Sequence, residues 1–359
     1  MVEISLCMIV RDEEVNLEKS LSRIAGYMDE IIIVDTGSSD RTKEIARKYT
    51  ESVFDYIWNQ DFSAARNYSI SKASNEYVLI LDSDEFLQEI DIADMKRRIE
   101  EYPAHIGRIL RINEYTRKGN KYRYQERVNR VFSKEYYQYQ GIIHEQIILK
   151  EGVDLQFEKS GKLYNTPITL LHNGYEGDLP TLKKKSKRNI ELLQNVLKIT
   201  PEDPYILYQL GKSYYMEEDY ISACCYFEKA LMYVVNTRLE FVQDMIESYG
   251  YAMLNSGKQQ EALLILNLYD EFSNSADFLF LVALILMNNS KFNEAITEFF
   301  KATKFSNAKM EGVNSYLSYY NIGVIYECMN QKREAQLYYN KCGDYRAAQI
   351  RLNELDKEI

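Results

Sequence analysis

The sequence lacks the basic surface and the long apolar runs that mark several large classes of protein. Its 359 residues include 44 Lys and Arg but 54 Asp and Glu, which gives a net charge of −10. A protein that contacts a nucleic-acid backbone needs a basic surface, so we exclude nucleic acid as a partner. No apolar run approaches the roughly 20 residues that span a bilayer, and we expect no transmembrane segment.

Cysteine is also scarce, and its five residues form neither a C-x-x-C pair nor a zinc-ligand spacing. We interpret the cysteines as reduced core residues of a cytoplasmic protein. No basic segment precedes the first apolar residues, so a signal peptide is not expected. The 46% hydrophobic and 27% charged residues are typical of a folded globular protein.

The first part of the chain alternates apolar strands with helices. The predicted strands are Ile4–Val10, Glu30–Val34 and Tyr77–Leu81, and the predicted helices cover 42–49 and 63–73. Uninterrupted apolar strands between helices indicate a mostly parallel α/β sheet that is covered on both faces. Further strand-rich sequence follows, up to about residue 171.

Polar motifs follow three of these strands, at residues 11–14, 35–40 and 82–85. Ligands of parallel sheets bind beyond the carboxyl ends of the strands, so we expect the three motifs to converge on one crevice. The helix that begins after the second motif has Ser39 or Asp40 available as its N-cap.

The last part of the chain predicts helices throughout, and it contains repeats. In each repeat a small residue stands four positions before a large one and twelve positions after a glycine or alanine. The four anchors are Ala223, Ala262, Ala295 and Ala335. This is the tetratricopeptide pattern, and four adjacent near-matches favour it over an ordinary helical bundle. We predict an α/β domain over 1–178 and a repeat domain over 179–359, with a capping helix over 344–355.

The motif Asp82-Ser83-Asp84-Glu85 directly follows a predicted buried strand. Carboxylates one residue apart at a strand end can share a divalent cation. Mg²⁺ or Mn²⁺ takes one or two carboxylates and completes its shell with phosphate oxygens and water. The motif therefore predicts a site for a divalent cation and a phosphorylated ligand.

Three ordered segments resemble the motifs of family 2 glycosyltransferases, which have the Rossmann-like GT-A fold. They are residues 6–16 (LCMIVRDEEVN), 31–42 (IIIVDTGSSDRT) and 61–86 (DFSAARNYSISKASNEYVLILDSDEF), and the resemblance covers most of residues 4–145. With its repeats, the chain is similar to the subgroup that joins this domain to tetratricopeptide repeats. That subgroup includes peptide S-glycosyltransferases of the sublancin type, flagellin glycosyltransferases and some lipopolysaccharide-core transferases.

The resemblance implies a nucleoside-diphosphate sugar, such as a UDP-hexose, as the donor substrate. The residues expected to contact it are Arg11, Glu13, Asp35, Arg66, Asp82 and Arg130. Among these, the resemblance assigns the nucleobase to Asp35 and the ribose side to Asp82, whereas an arginine fork such as that of Arg130 matches diphosphate oxygens. The usual Asp-Asp-Gly of the family reads Asp-Thr-Gly here, with Thr36 at the second position.

The resemblance also implies the catalytic and metal residues. The string Gly-x-x-His-Glu at 141–145 is similar to the segment that supplies the catalytic carboxylate in this subgroup. Glu145 is our candidate for the general base of an inverting transfer, with His144 supporting it or standing in for it. We expect Asp84 to bind the metal and His172, in a His-x-Gly setting, to complete its shell as a neutral imidazole.

From these features we predict an inverting, metal-dependent glycosyltransferase whose repeats present a peptide or protein acceptor. Three alternatives remain open. One is a transferase for cell-envelope glycans whose repeats serve oligomerisation, and another is a scaffold with an inactive catalytic domain. The third is a nucleotidyltransferase, which the absence of a glycine-rich loop at 11–14 disfavours.

Overall fold

The computed structural model describes residues 2–117, 120–153, 162–172, 179–233 and 236–357. The chain divides into two compact units, Met1–Leu182 and Lys183–Ile359. The domain ranges 1–178 and 179–359 remain predictions, because residue 178 lies outside the described residues. Within the described part, no helix is long and apolar enough to cross a bilayer.

The N-terminal unit is a sheet flanked by helices. Its strands are β1 (Ile4–Val10), β2 (Glu30–Asp35), β3 (Val53–Asp55), β4 (Tyr77–Ile80), β5 (Glu85–Ile90), β6 (Ile106–Arg117), β7 (Asn120–Ser133), β8 (Tyr137–Gln140), β9 (Gln146–Leu149) and β10 (Leu163–His172). Its helices are α1 (Glu14–Ile24), α2 (Thr42–Ala46), α3 (Phe62–Lys72) and α4 (Ile92–Glu101). The predicted strands therefore form, whereas β3, β5 and α4 were not predicted.

The strand order of the sheet is β3-β2-β1-β4-β7-β6-β10-β5, and β8 and β9 form a separate two-stranded sheet. The pairs β1–β2, β1–β4, β2–β3 and β6–β10 are parallel. The pairs β4–β7, β6–β7 and β5–β10 are antiparallel. The prediction of a mostly parallel sheet is confirmed. Because β1, β2 and β4 are parallel neighbours, the polar segments that follow them share one edge of the sheet.

The helix predicted over 42–49 ends earlier, at Ala46. The next amides bond three residues back, with Lys48 N donating to Ile45 O at 3.0 Å and Tyr49 N donating to Ala46 O at 3.0 Å. Such i→i+3 bonds tighten the last turn of a helix. The predicted N-cap was also wrong, because the N-cap residue is Arg41.

The C-terminal unit is helical. Its helices are α5 (Leu179–Ile199), α6 (Pro204–Met216), α7 (Tyr220–Leu231), α8 (Glu240–Asn255), α9 (Gln259–Ala262), α10 (Tyr269–Phe272), α11 (Ala276–Asn288), α12 (Phe292–Ala302), α13 (Tyr316–Cys328), α14 (Lys332–Asn340) and α15 (Arg346–Leu355). The helices α6 and α7, α11 and α12, and α13 and α14 pack as hairpins. The capping helix predicted over 344–355 is α15.

The small residues of the repeat pattern lie where paired helices approach closely. A Cβ atom on Gly211 of α6 would lie 2.5 Å from the ring of Phe227 of α7, and one on Gly323 of α13 would lie 2.6 Å from Tyr339 of α14. Both rings are fully buried. The tetratricopeptide pattern is confirmed, because these glycines leave room for the aromatic ring of the partner helix.

The second repeat departs from the prediction, because its second helix is not continuous. Between α9 and α10 the chain forms a 3₁₀ helix over Leu263–Leu268. Ala262 and Ile265 are buried, and Leu263, Leu266 and Leu268 pack against the core. The exposed residues, Leu264 and Asn267, are three apart. A spacing of three matches the 3₁₀ period rather than the α-helical one.

The interpretation of the cysteines as core residues was partly wrong. All five are free thiols, and Cys7, Cys224 and Cys342 are buried as expected. Cys225 and Cys328 are exposed, because each lies on the outer face of its helix.

A buried carboxyl makes the C-terminal unit sensitive to pH. Burial raises the pKa of Glu247 on α8 to about 7, and Lys309 and Gln243 oppose the rise. Lys309 Nζ lies 3.7 Å from the Glu247 carboxylate, and Gln243 Nε2 donates to it at 2.8 Å. Its ordinary pKa is 4.5. Between pH 4.5 and about pH 7 the folded state therefore binds a proton that the unfolded state does not. The free energy of unfolding falls as the pH rises through this range.

We expect Glu247→Gln to remove this dependence. From pH 6 to pH 8 the wild-type unit should lose about 1.4 kcal/mol from this group, roughly a factor of ten in amide protection. The variant should be more protected than wild type near pH 8. Hydrogen exchange of peptides from α8 and α11, corrected for intrinsic rates, measures the difference. Equal protection of the two proteins at both pH values would contradict the prediction.

Candidate active site

The turns after β1 and β2 are joined by hydrogen bonds. Asp12 N donates to Ser38 Oγ at 2.9 Å, and the Asp12 carboxylate accepts from Ser39 N at 2.7 Å. Glu13 N donates to Thr42 Oγ1 at 2.8 Å. Asp12 has a φ of 52°, in the left-handed region that a non-glycine residue seldom adopts. These bonds hold it there and fix the two turns to each other.

Asp35 lies at the end of β2 and is 1% exposed. Its Oδ1 accepts from Gly37 N and Ser38 N, each at 2.9 Å. Its Oδ2 is buried and has no hydrogen-bond partner in the structure. A buried carboxylate oxygen without a donor is costly. Hydrogen bonds to Oδ1 therefore orient the Asp35 carboxylate, and Oδ2 can accept a hydrogen bond from a ligand.

The centre of the site is a buried guanidinium that binds two carboxylates. Arg66 of α3 is 6% exposed. Its Nη2 donates to Asp82 Oδ1 at 2.7 Å, and its Nε donates to Glu145 Oε1. Its carbon Cζ lies 5.6 Å from the ring centroid of Tyr139. One side chain thus joins the acidic motif after β4 to the segment before β9.

A second arginine extends this network across the sheet. Arg130 of β7 donates through Nη2 to Asp82 Oδ2 at 2.8 Å and to Glu85 Oε1 at 2.9 Å. Arg111 of β6 donates to the same Glu85 oxygen at 2.9 Å. Glu85 is fully buried and Arg130 is 8% exposed. Buried charges are stable only when they are paired in this way.

The network fixes the ionisation of its members. Burial raises the pKa of Asp82, but Arg66 and Arg130 outweigh it and hold that pKa well below its usual range. Burial lowers the pKa of Arg66, and the two carboxylates outweigh it and raise the pKa above its usual value. Asp82 is therefore an acceptor-only carboxylate at neutral pH.

The Gly-x-x-His-Glu string forms a turn rather than a strand. Gly141 and His144 both have positive φ, of 108° and 52°. The turn is fixed to the start of α3, where Phe62 N donates to Ile142 O at 2.9 Å. The turn places the Glu145 carboxylate against the guanidinium of Arg66, and the Glu145 side chain is 11% exposed. Burial lowers the pKa of His144, while Glu145 opposes that shift.

Asp84 and His172 approach each other at the opposite end of the network. His172 Nε2 lies 3.6 Å from Asp84 Oδ2, and His172 Nδ1 lies 2.7 Å from Asn113 Oδ1. The described residues include no group of three or more His, Cys, Asp or Glu that could hold a metal ion. A pair of hard or borderline ligands still fits Mg²⁺ or Mn²⁺, which complete their shells with phosphate oxygens and water.

The residues predicted from the sequence fall into three groups. Asp82, Arg66, Arg130 and Glu145 form the ion-pair network, with His144 beside it. Asp84 and His172 form the second group. Arg11, Glu13 and Asp35 lie in the turns after β1 and β2, where Arg11 is exposed and Glu13 accepts from Asn16 Nδ2 at 2.7 Å. The turns after β1 and β2 and the acidic motif after β4 follow neighbouring parallel strands and so share one edge of the sheet.

Sequence reasoning missed four polar residues that extend the network, namely Glu85, Arg111, Asn113 and Glu126. A signal for the first was present, because Glu85 directly follows the acidic pair. The spacing of two between Arg111 and Asn113 in a strand was another, since it places both side chains on one face. The register that sets Glu126 opposite Arg111 is not visible in the sequence.

The chain is similar to known proteins. Residues 5–148 match the family described as glycosyl transferase family 2. A TPR repeat-containing protein of Synechococcus elongatus is 32% identical over 221 residues, which are 61% of this chain and 54% of that protein. The glycosyltransferase SunS of the SPbeta prophage of Bacillus subtilis is 28% identical over 230 residues, which are 62% of this chain and 52% of SunS.

The chain therefore spans about half the length of these curated relatives. Among solved structures, the TPR protein YrrB aligns with 50% of this chain and 88% of its own, at 20% identity and a TM-score of 0.41. The assignment of the repeats rests instead on the helix hairpins described above.

The N-terminal domain is a family 2 glycosyltransferase domain, and helical hairpins of the tetratricopeptide type follow it. This confirms the fold and the family predicted from the sequence.

The central ion pairs predict a strong effect of removing one charge. Arg66→Met leaves Asp82 and Glu145 without their shared partner, and we expect a loss of about 3–5 kcal/mol in the free energy of unfolding. Trp58 is the only tryptophan, so denaturant unfolding followed by its fluorescence reports on this domain. The matched control is Arg97→Met, whose side chain is 61% exposed and whose loss should cost at most about 1 kcal/mol. Similar losses in both variants would refute the central role of Arg66.

Proposed function

We propose that this protein is an inverting, metal-dependent glycosyltransferase that moves a sugar from a nucleoside-diphosphate sugar, such as a UDP-hexose, to a peptide or protein acceptor. The observation that carries the proposal is the pair of bonds made by Arg66. Through them the carboxylate proposed as the base is held in the same buried network as the acidic motif proposed for the donor.

The turns after β1 and β2 supply the nucleoside side of the proposed donor site. Asp35 has one oriented oxygen and one buried oxygen without a partner, which suits it to accept hydrogen bonds from a nucleobase. Glu13 and Arg11 lie in the neighbouring turn and would contact the base or ribose. Two arginines hold Asp82 in its ionised form. The remaining lone pairs of its carboxylate would accept hydrogen bonds from the ribose hydroxyls.

The diphosphate carries negative charge that grows as the glycosidic bond breaks, and cationic groups around it lower the barrier. Arg66 Nη1 and Arg130 Nε are buried and have no hydrogen-bond partner in the structure. Each therefore has an N–H group that can donate a hydrogen bond to the nucleoside-diphosphate sugar. Asp84 and His172 would hold a divalent cation, which would neutralise the charge of the departing nucleoside diphosphate.

Glu145 performs the proton transfer in this proposal. Inverting transfer forms a bond between the acceptor atom and the anomeric carbon while the bond to the diphosphate breaks, and the acceptor proton passes to a base. The bond from Arg66 keeps the Glu145 carboxylate oriented. His144 lies next to it, and burial lowers the pKa of that imidazole, which favours the neutral form that can itself accept a proton.

Replacement of Glu145 by Gln tests the base. The amide keeps an oxygen for Arg66 but cannot take a proton, so turnover should fall roughly 10²–10⁴-fold. Donor affinity, measured by titration with UDP, should change little. The assignment is wrong if the variant binds UDP more weakly and turns over at the wild-type rate.

Replacement of Asp84 by Ala tests the metal ligand. Loss of one of two protein ligands should abolish transfer and donor hydrolysis in Mn²⁺, to less than about a tenth of the wild-type rate. Asp344→Ala is the control, because Asp344 is exposed and belongs to the C-terminal unit. An Asp84→Ala protein that keeps most of its activity would count against direct metal binding.

The peptide acceptor is supported by the repeat domain, since arrays of helix pairs present extended surfaces on which peptides dock. It is supported further by the resemblance to a subgroup that includes peptide S-glycosyltransferases. Purified protein with labelled UDP-glucose, Mn²⁺ and a panel of peptides should yield labelled peptide. Label found only in cell-envelope polysaccharide or lipid would favour the alternative, in which the repeats serve oligomerisation.

A further inference from the structure

The strand that carries His172 places this residue between two members of the polar network. In the pairing of β10 with β6, His172 lies opposite Asn113, and in the pairing of β10 with β5 it lies opposite Glu85. Asn113 is 4% exposed, so its amide is an internal contact. The hydrogen bond between this amide and the imidazole determines which ring nitrogen carries the proton.

The orientation of the Asn113 amide follows from its other bonds. Its Nδ2 donates to Glu126 Oε1 at 2.8 Å and approaches Tyr124 O at 3.4 Å. Both partners are acceptors only, so the nitrogen of the amide must face them and Oδ1 must face His172. An oxygen at 2.7 Å from His172 Nδ1 requires a proton on Nδ1. In a neutral imidazole, Nε2 is then the unprotonated nitrogen, and it lies 3.6 Å from Asp84 Oδ2.

Glu126 is itself held in place. Arg111 Nη2 and Nε donate to the same Oε1 atom at 2.8 Å and 3.2 Å. Arg111 also donates to Glu85 at 2.9 Å, and burial of Arg111 is outweighed by the two carboxylates, which raise its pKa. A continuous series of bonds therefore runs from the central ion pairs through Arg111, Glu126 and Asn113 to His172.

We propose that Asn113, oriented by Glu126 and Arg111, is a positioning residue that presents the unprotonated Nε2 of His172 to a divalent cation shared with Asp84. The proposal rests on the metal-dependent function proposed above. A partner that fixes the tautomer of a metal-binding histidine and is itself hydrogen-bonded has a large effect on metal affinity, typically 10–100-fold.

Nitrogen NMR of the full chain labelled at histidine tests the tautomer directly. The chain has three histidines, so His105 and His144 serve as internal references for an intact fold. We expect His172 to be the Nδ1–H tautomer in wild type and to shift toward Nε2–H in Asn113→Ala. In Glu126→Ala the amide is free to turn its nitrogen toward His172, and the same shift is expected.

Two further variants separate positioning from stability. Glu126→Gln retains an oxygen for Asn113 and Arg111 and should keep the wild-type tautomer. Asn67→Ala removes another structural amide of this domain, which bonds Tyr139 through both its oxygen and its nitrogen. It should leave the spectrum of His172 unchanged.

Binding of Mn²⁺, followed by its paramagnetic resonance in the presence of UDP, gives the second readout. Asn113→Ala and Glu126→Ala should bind Mn²⁺ about 10–100-fold more weakly than wild type, and Glu126→Gln should bind within a fewfold of it. An Nε2–H tautomer in wild type would overturn the proposal, as would unchanged Mn²⁺ affinity in Asn113→Ala. If the tautomers behave as expected and Mn²⁺ affinity falls while wild type transfers no sugar, the proposed transferase activity fails and the positioning role stands.

Discussion

The candidate active site depends on charge balance around two buried arginine side chains. Arg66 and Arg130 are buried. Each is stable there only because carboxylates from other segments pair with it. Those carboxylates come from the motif after β4 and from the turn before β9. The requirement to pair buried charges thus brings together segments that are distant in the chain, and it holds them in one geometry.

The same requirement explains why this region is polar although it is internal. Breaking one pair would leave a charge without a partner, whereas the complete set satisfies nearly every group. The few exceptions are informative. They include Oδ2 of Asp35, Nη1 of Arg66, Nε of Arg130 and the hydroxyl of Tyr139, which are buried without hydrogen-bond partners in the structure. Buried polar atoms without a partner are where a polar ligand would gain most by binding.

Much of this arrangement could be predicted from the sequence. Apolar runs gave β1, β2 and β4, and the polar residues that follow them gave the edge on which Asp35 and Asp82 lie. The small-to-large spacing of the repeats gave Gly211 against Phe227 and Gly323 against Tyr339. Helix boundaries and the broken second repeat were less predictable, because a tightened last turn or a 3₁₀ period depends on which side chains the core accepts.

The rest could not be predicted, because it depends on strand register. Arg111 meets Glu126, and Asn113 meets His172, only because β6 pairs with β7 and with β10 in one particular alignment. A shift of one residue would turn each side chain to the other face of the sheet. Motif reading identified His172 from its flanking residues, but its neighbour Asn113 comes from a strand without a recognisable motif.

The most direct test of the account is whether the cation and the nucleotide bind to the same site. Calorimetric titration of the wild-type protein with UDP, with and without Mn²⁺, measures their coupling, which thermodynamics requires to be reciprocal. We predict that Mn²⁺ strengthens UDP binding and that UDP strengthens Mn²⁺ binding by the same factor. UDP binding that is indifferent to Mn²⁺ would contradict a cation held between Asp84, His172 and the diphosphate.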